Sequence, residues 1–114
     1  MKAEGQVVHC VAYRDGHRVR DITIEDISEA LKEDGVFVWL GLHEPNELLM
    51  KKVQQEFGLH DLAVEDAHRA HQRPKLETYG DSLFVALHTA QMIDSEVHFG
   101  ETHLFVGPRY VVTV

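Results

Sequence analysis

Metal-binding side chains are most concentrated between residues 60 and 75 of the 114-residue sequence. Residues three or four positions apart share a helix face, so Asp61, Glu65 and His68 would lie together on one side of a helix. Asp66 would point about 100° around the axis from Glu65. Each of these two acids would still reach an ion shared with a second chain. The spacing therefore makes the face of Asp61, Glu65 and His68 a candidate metal-binding face, with Asp66 beside it.

The same stretch has a plainer interpretation. Charges of both signs are typical of a helix face that stays in water, and Arg69 and Arg73 would neutralise the neighbouring acids. Local spacing alone does not separate a solvated face from a metal site. Both interpretations stay open at this point.

Nine histidines indicate zinc as an alternative metal. His68 and His71 with Glu65 form a His/His/Glu set of the kind that zinc accepts. Pro74 ends the helix close to His71, so that side chain need not stay on the same face. Three further histidines fall on predicted strands, where structural roles are more typical: His88, His98 and His103.

Composition excludes several classes of protein. The sequence has no glycine-rich phosphate loop, no Cys-x-x-Cys pair and no Gly-x-Ser-x-Gly or His-Glu-x-x-His motif, so we expect no enzyme. Acids outnumber bases 19 to 11 for a net charge of −8, which disfavours nucleic acid and favours cations. The single cysteine suits a reducing compartment. No apolar run approaches the roughly 20 residues of a membrane helix, and we expect one soluble domain over residues 1–114.

Hydrophobic patterning predicts the element order ββαβααββββ. The predicted strands are Gln6–Tyr13, His17–Arg20, Val36–Leu42, Lys75–Tyr79, Ser82–Met92, Val97–Val106 and Tyr110–Val114. The predicted helices begin at a Thr23/Asp26 capping box and end at Gly35, begin at the N-cap Asn46 and end at Gly58, and run from Asp61 to Ala70. A mixed α+β sheet follows, with a crossover at its centre, antiparallel hairpins at its C-terminal end and helices packed on it.

Two parts of this pattern carry further expectations. The apolar run Val36–Leu42 indicates a mid-sheet strand buried on both faces, with Phe37 and Trp39 in the core. Residues 110–114 form strands readily, yet no turn or polar tail follows them. We therefore expect a piece of a longer protein.

Several stretches, in their order and spacing, resemble the cytoplasmic N-terminal domain of the CorA family of divalent cation channels. They are residues 37–43, the Phe57-Gly58-Leu59-His60 and Val64-Glu65-Asp66 segments, the His71-Gln72-Arg73-Pro74-Lys75 run, Tyr79, and residues 101–110. The likeness covers about residues 36–114, and residues 1–35 match only in pattern.

The resemblance implies a homopentameric channel for Mg2+, with Co2+ and Ni2+ as surrogates and a related branch that handles Zn2+. It implies an α/β/α cytoplasmic domain, a stalk helix and two membrane helices with a Gly-Met-Asn loop. The present chain would be the first part, at the cytoplasmic face of the membrane. By itself we expect it to be a monomer or a dimer.

The resemblance also implies a regulatory metal site at Glu65 and Asp66. In the family this acidic pair faces an aspartate on the stalk helix of the next subunit, and Mg2+ bound there favours the closed pore. Asp66 is expected to make the closer contact, and the partner carboxylate is absent from this chain. For the zinc branch, the residues to test are His60, Glu65 and His68.

Two other classes of function remain open. A small metal-dependent hydrolase would need clustered ligands and a base in a pocket. A stand-alone interaction module would pair an open strand edge with another chain.

Overall fold

Seven strands form one mixed sheet, and three helices pack against it. The computed structural model of the chain describes residues 6–69 and 72–114. The strands are β1 (Val7–Arg14), β2 (His17–Asp21), β3 (Val36–Leu42), β4 (Lys75–Tyr79), β5 (Ser82–Ile93), β6 (Glu96–Gly107) and β7 (Tyr110–Thr113). The helices are α1 (Ile27–Ala30), α2 (Glu47–Phe57) and α3 (Asp61–Ala67). This order confirms the predicted α+β arrangement.

The sheet joins an N-terminal and a C-terminal group of strands at its centre. Its order is β2-β1-β3-β7-β6-β5-β4. The strands β3 and β7 pair in parallel, and every other neighbouring pair is antiparallel. Parallel neighbours need a long connection, and here α2, α3 and the three strands β4 to β6 lie between them in the chain. The central position of β3 and the C-terminal hairpins are both confirmed.

The core lies on one face of this sheet. Alternate residues of β3 point into it: Val36, Val38, Leu40 and Leu42. The helices contribute Ile27, Leu49, Met50, Val53, Ala63 and Val64, and the C-terminal strands contribute Phe84, Ala86, Phe105 and Val112. In the part of the chain that the structure describes, the helices therefore cover the face to which these residues belong.

The opposite face of β3 is open, so the prediction that both faces are buried was wrong. Phe37 and Trp39 are 36% and 38% exposed, respectively. They surround an apolar surface cavity of about 570 Å³ together with Tyr13 and Val111, and the His9 ring lies 4.1 Å from that of Trp39. A continuous apolar run does not reveal which of two faces a helix layer covers.

The first predicted helix is much shorter than expected. A 3₁₀ turn at Ile24–Asp26 leads into α1, which is a single turn. The Thr23 hydroxyl donates to the Asp26 carboxylate at 2.9 Å and caps no backbone N–H, so the capping box does not form. Beyond Ala30, the Arg109 guanidinium donates a hydrogen bond to the backbone carbonyl of Glu33. This bond holds the segment to the sheet.

The second predicted helix is confirmed at both ends. The Asn46 side chain accepts a hydrogen bond from the Leu49 N–H at 2.8 Å, and Gly58 ends α2 with a left-handed φ of 71°. The third helix ends at Ala67, three residues before the predicted end. Ala70 lies outside the described residues.

The longest hairpin of the sheet projects beyond its neighbours. Strands β5 and β6 are paired from Leu83 and Val106 out to Ile93 and Glu96, whereas β4 pairs only as far along β5 as Ala86. The outer part of this hairpin is largely exposed. Across residues 6–69 and 72–114, none of the helices has the length and apolar character needed to cross a membrane.

The two faces of β3 should respond differently to substitution. Leu40→Ala removes a fully buried side chain and should lower the free energy of unfolding by about 2–5 kcal/mol, because the cavity cannot collapse completely. Trp39→Thr, one residue away on the open face, should cost about 1 kcal/mol. Urea unfolding followed by circular dichroism gives both values, and equal losses would contradict the one-sided core.

Candidate metal centre

The acidic pair lies near the C-terminal end of α3, where the two side chains have different surroundings. Asp66 is buried, with 7% of the residue exposed, whereas 65% of the Glu65 side chain is exposed. Neighbouring residues point about 100° apart around a helix, so one acid turns towards the sheet while the other faces water. Arg69 is 4.0 Å from the Glu65 carboxylate.

The buried carboxylate of Asp66 is held by two residues of β4. The Tyr79 hydroxyl donates to Asp66 Oδ2 at 2.8 Å, and Lys75 Nζ lies 3.3 Å from the same oxygen. Arg69 approaches the other oxygen, Oδ1, at 3.6 Å. A buried charge is tolerated when donors and opposite charges compensate it, and Asp66 has both.

These contacts also set the protonation of Asp66 and Tyr79. Burial acts to raise the pKa of Asp66, but the hydrogen bonds of Tyr79 and Lys75 and the charges of Lys75 and Arg69 outweigh it, and the pKa falls below its ordinary value. The hydrogen bond to Asp66 raises the pKa of Tyr79 to about 12. At neutral pH Asp66 is therefore a carboxylate and Tyr79 a donor.

Gln72, which lies between α3 and β4, fixes the end of the helix. Gln72 Nε2 donates to the backbone carbonyls of Asp66 and Arg69, at 2.5 and 3.2 Å. The Asp66 carbonyl also accepts a hydrogen bond from the Arg69 N–H at 3.1 Å, so Gln72 adds a side-chain donor to the turn that closes the helix. The Gln72 N–H donates to Glu101 at 3.2 Å, and its carbonyl lies 2.5 Å from His88 Nε2. Gln72 thus joins the helix end to β5 and β6.

His60 is the N-cap residue at the other end of α3. Its Nδ1 accepts a hydrogen bond from the Leu62 N–H at 3.1 Å. Its ring stacks on that of Tyr79, with the centroids 4.8 Å apart. His68 follows the last helical residue, so it lies eight positions, or about 12 Å along the helix, from His60.

The predicted metal-ligand sets are not assembled among the residues that the structure describes. No three His, Cys, Asp or Glu side chains within residues 6–69 and 72–114 lie close enough to hold one ion. Asp61 accepts a hydrogen bond at 2.5 Å from Gln54 of α2. The prediction that placed His71 in a zinc set lies outside the described residues.

The chemistry of the acidic pair suits a hard divalent cation. Carboxylate oxygens are the ligands that Mg2+ prefers, and Mg2+ keeps several waters. Zinc needs an imidazole or thiolate set, and Glu65 and Asp66 are joined by no such set in the described part of the chain. The chain can thus contribute one or two ligands to a hydrated ion and leave the others to water or to a second chain.

Sequence reasoning missed the three residues that hold this site: Gln72, Lys75 and Tyr79. It assigned the neutralising role to Arg69 and Arg73, because these lie within helical reach of the acids. A signal was present, since all three belong to the residues that carry the resemblance. Their partners become visible only once β4 is placed beside α3.

Comparison with known proteins supports the resemblance. The family model described as a CorA-like Mg2+ transporter protein matches residues 34–114. YfjQ of Bacillus subtilis, named as a metal ion transporter, is 27% identical over 108 residues, which are 94% of this chain and 32% of that protein. The cobalt/magnesium transport protein CorA of Thermotoga maritima is 26% identical over 98 residues, covering 73% of this chain and 27% of that protein.

Solved structures share the fold. The complete structure of the CorA magnesium transporter from Methanocaldococcus jannaschii matches with a TM-score of 0.63 at 12% identity, over 93% of this chain and 32% of that one. Full-length CmaX matches with a TM-score of 0.66 at 16% identity, over 95% and 34%. The chain spans about a third of the length of its relatives. Because the family model covers most of its residues, the chain belongs to the CorA-like Mg2+ transporter family.

Proposed function

We propose that this chain is a cytoplasmic Mg2+-sensing domain of a CorA-type divalent cation channel. One observation carries the proposal: on a member of this family, an accessible carboxylate, Glu65, stands beside a fixed one, Asp66, at the end of α3. Mg2+ held between this pair and a carboxylate of the next subunit would favour the closed pore. The role is binding and gating rather than catalysis.

The two acids would contact the ion in different ways. Tyr79 and Lys75 contact Oδ2 of Asp66. Among residues 6–69 and 72–114, the charged group within 4 Å of Oδ1 is the exposed guanidinium of Arg69. An ion would meet Oδ1 once Arg69 moves aside. Asp66 would make the closer contact, and Glu65 would bind through the outer hydration shell.

Weak binding suits such a sensor. Two carboxylates leave most of the coordination of Mg2+ to water, so the ion leaves when its concentration falls. Each chain carries a net charge of −8, and neighbouring subunits therefore repel one another. Ions bound between subunits would reduce that repulsion, and their loss would loosen the assembly.

The proposed whole protein is a homopentamer in the inner membrane. Mg2+ would be its cargo, with Co2+ and Ni2+ as surrogates. Zn2+ is the cargo in the alternative that the histidines suggest. The stalk and membrane helices would be supplied by the part of the relatives' length that this chain does not span. By itself the domain would be a monomer or a dimer.

The gene offers a direct check of this architecture. Its reading frame should continue past Val114 into a long helix and two membrane helices that carry a Gly-Met-Asn loop. Sequencing of the gene measures this. A reading frame that stops at Val114 would remove the channel role and favour the interaction module.

Substitution of the acidic pair should weaken the response to Mg2+. In the full-length protein, we expect Glu65→Gln and Asp66→Asn to raise the Mg2+ concentration that half-protects the assembly from proteolysis. The rise for Asp66→Asn should be about tenfold, which corresponds to ~1.4 kcal/mol, because a charged ligand is lost. A titration of limited proteolysis with MgCl2 measures the change.

The matched control is Glu29→Gln. Glu29 is also an exposed helical glutamate, and it pairs with Lys32 at 2.7 Å. This substitution should leave the half-protecting Mg2+ concentration unchanged. If both substitutions of the acidic pair behave like this control, the sensor role of Glu65 and Asp66 is refuted.

The link between Tyr79 and Asp66 should be measurable by titration. The pKa of Tyr79 is raised from 10.0 to about 12 in the folded chain. Between these values the unfolded chain releases the proton and the folded chain keeps it, so stability should fall as the pH rises through this window. NMR of the tyrosine rings against pH gives the pKa.

Two substitutions separate the causes of this shift. Asp66→Ala removes the hydrogen-bond acceptor that is its largest cause and should bring the pKa of Tyr79 back towards 10.0. Glu77→Gln removes a minor electrostatic contribution and should have a smaller effect. Equal effects would show that the hydrogen bond is absent.

A further inference from the structure

We propose that Lys75 is a positioning residue that keeps the Mg2+ affinity of the acidic pair low. Its ammonium group is a fixed positive charge that repels an incoming Mg2+ ion. The inference rests on the proposed function. It adds to the site a residue, Lys75, that binds no metal itself.

Lys75 lies beside Asp66 and is more buried than a typical surface lysine. Its Nζ is 3.3 Å from Asp66 Oδ2, and its side chain is only 27% exposed. The same Nζ lies 5.9 Å from the ring centroid of Phe84, a fully buried residue, a distance at which the ring face attracts a cation. On β4, Lys75 is paired with the buried Ala86. The strand, the ring and the carboxylate together hold the ammonium group in place.

Arg69 differs from Lys75 in the exposure of its side chain, which decides whether the charged group can move away from an entering ion. It also approaches Asp66, at 3.6 Å, but 63% of its side chain is exposed. A long exposed side chain moves aside at little cost, since exposed ion pairs contribute little. Arg69 can therefore yield to Mg2+, whereas the charge of Lys75 remains beside the bound ion.

The remaining charge has a definite effect on binding. Two positive groups that share one carboxylate repel each other, and water screens this less at a partly buried site. Loss of the Lys75 charge would leave Asp66 with uncompensated negative charge, which attracts a divalent cation more strongly. A residue that served folding alone would give the opposite result, because its loss would disorder Asp66 and weaken binding.

The test is Lys75→Met in the full-length protein, since methionine keeps the unbranched apolar stem and removes the charge. The MgCl2 concentration that half-protects the assembly from proteolysis should fall about three- to tenfold. Lys75→Arg keeps the charge and should restore the wild-type midpoint. Lys32→Met is the matched control, because it removes a lysine that pairs with Glu29 near α1. It should leave the midpoint unchanged.

The outcomes separate the two levels of the proposal. A Lys75→Met midpoint that is unchanged or higher overturns the role of Lys75 and leaves the sensor intact. An equal fall in Lys32→Met overturns it too, since net charge would then explain the effect. A wild-type protein without any response to MgCl2 overturns both proposals. If Lys75→Met does not fold, as judged by circular dichroism, Lys75→Gln is held to the same criterion.

Discussion

The site depends on one buried carboxylate, that of Asp66, and on the two residues of β4 that compensate it. A seven-residue helix is too short to be stable by itself, so α3 needs contacts at both ends. Tyr79 provides them: its hydroxyl bonds Asp66 near the C-terminal end, and its ring stacks on His60 at the N-terminal end. Because these contacts orient the helix, they also determine that Glu65 faces water. The accessible acid is exposed as a consequence of how its neighbour is buried.

The sheet extends this constraint to the rest of the domain. Strand β4 is an edge strand, and its position is fixed by its pairing with β5. The chain must then cross back from α3 to that edge, and Gln72 fixes the crossing by bonding the helix end and two side chains of the long hairpin. The parallel pairing of β3 with β7 joins this C-terminal group to the N-terminal strands. Glu65 and Asp66 are thus placed by contacts with the edge of the sheet farthest from β1 and β2.

The sequence predicted those features that depend on local chemistry. Three such features follow from residues a few positions apart: the Asn46 cap, the helix end at Gly58, and the order of helices and strands along the chain. Features that depend on distant residues escaped prediction. Phe37 and Trp39 have the apolar character of core residues, and only the placement of the helices decides that they face outward. Likewise, Lys75 and Tyr79 belong to a strand, so no helical spacing could connect them with Asp66. The sequence-based prediction therefore named the acids and missed the residues of β4 that contact Asp66.

This division would have a physical consequence for the proposed site, which would bind weakly and reversibly. A buried, fixed carboxylate would by itself attract a divalent cation strongly, because its geometry is already set and its charge is poorly screened. In the proposed site, cationic neighbours would lower that attraction without removing the ligand, and the exposed Glu65 would leave a route for a hydrated ion. Affinity would then be adjusted by residues that never touch the metal. Two proteins of this family with the same acidic pair would therefore respond to different concentrations of Mg2+ if their counter-charges differed.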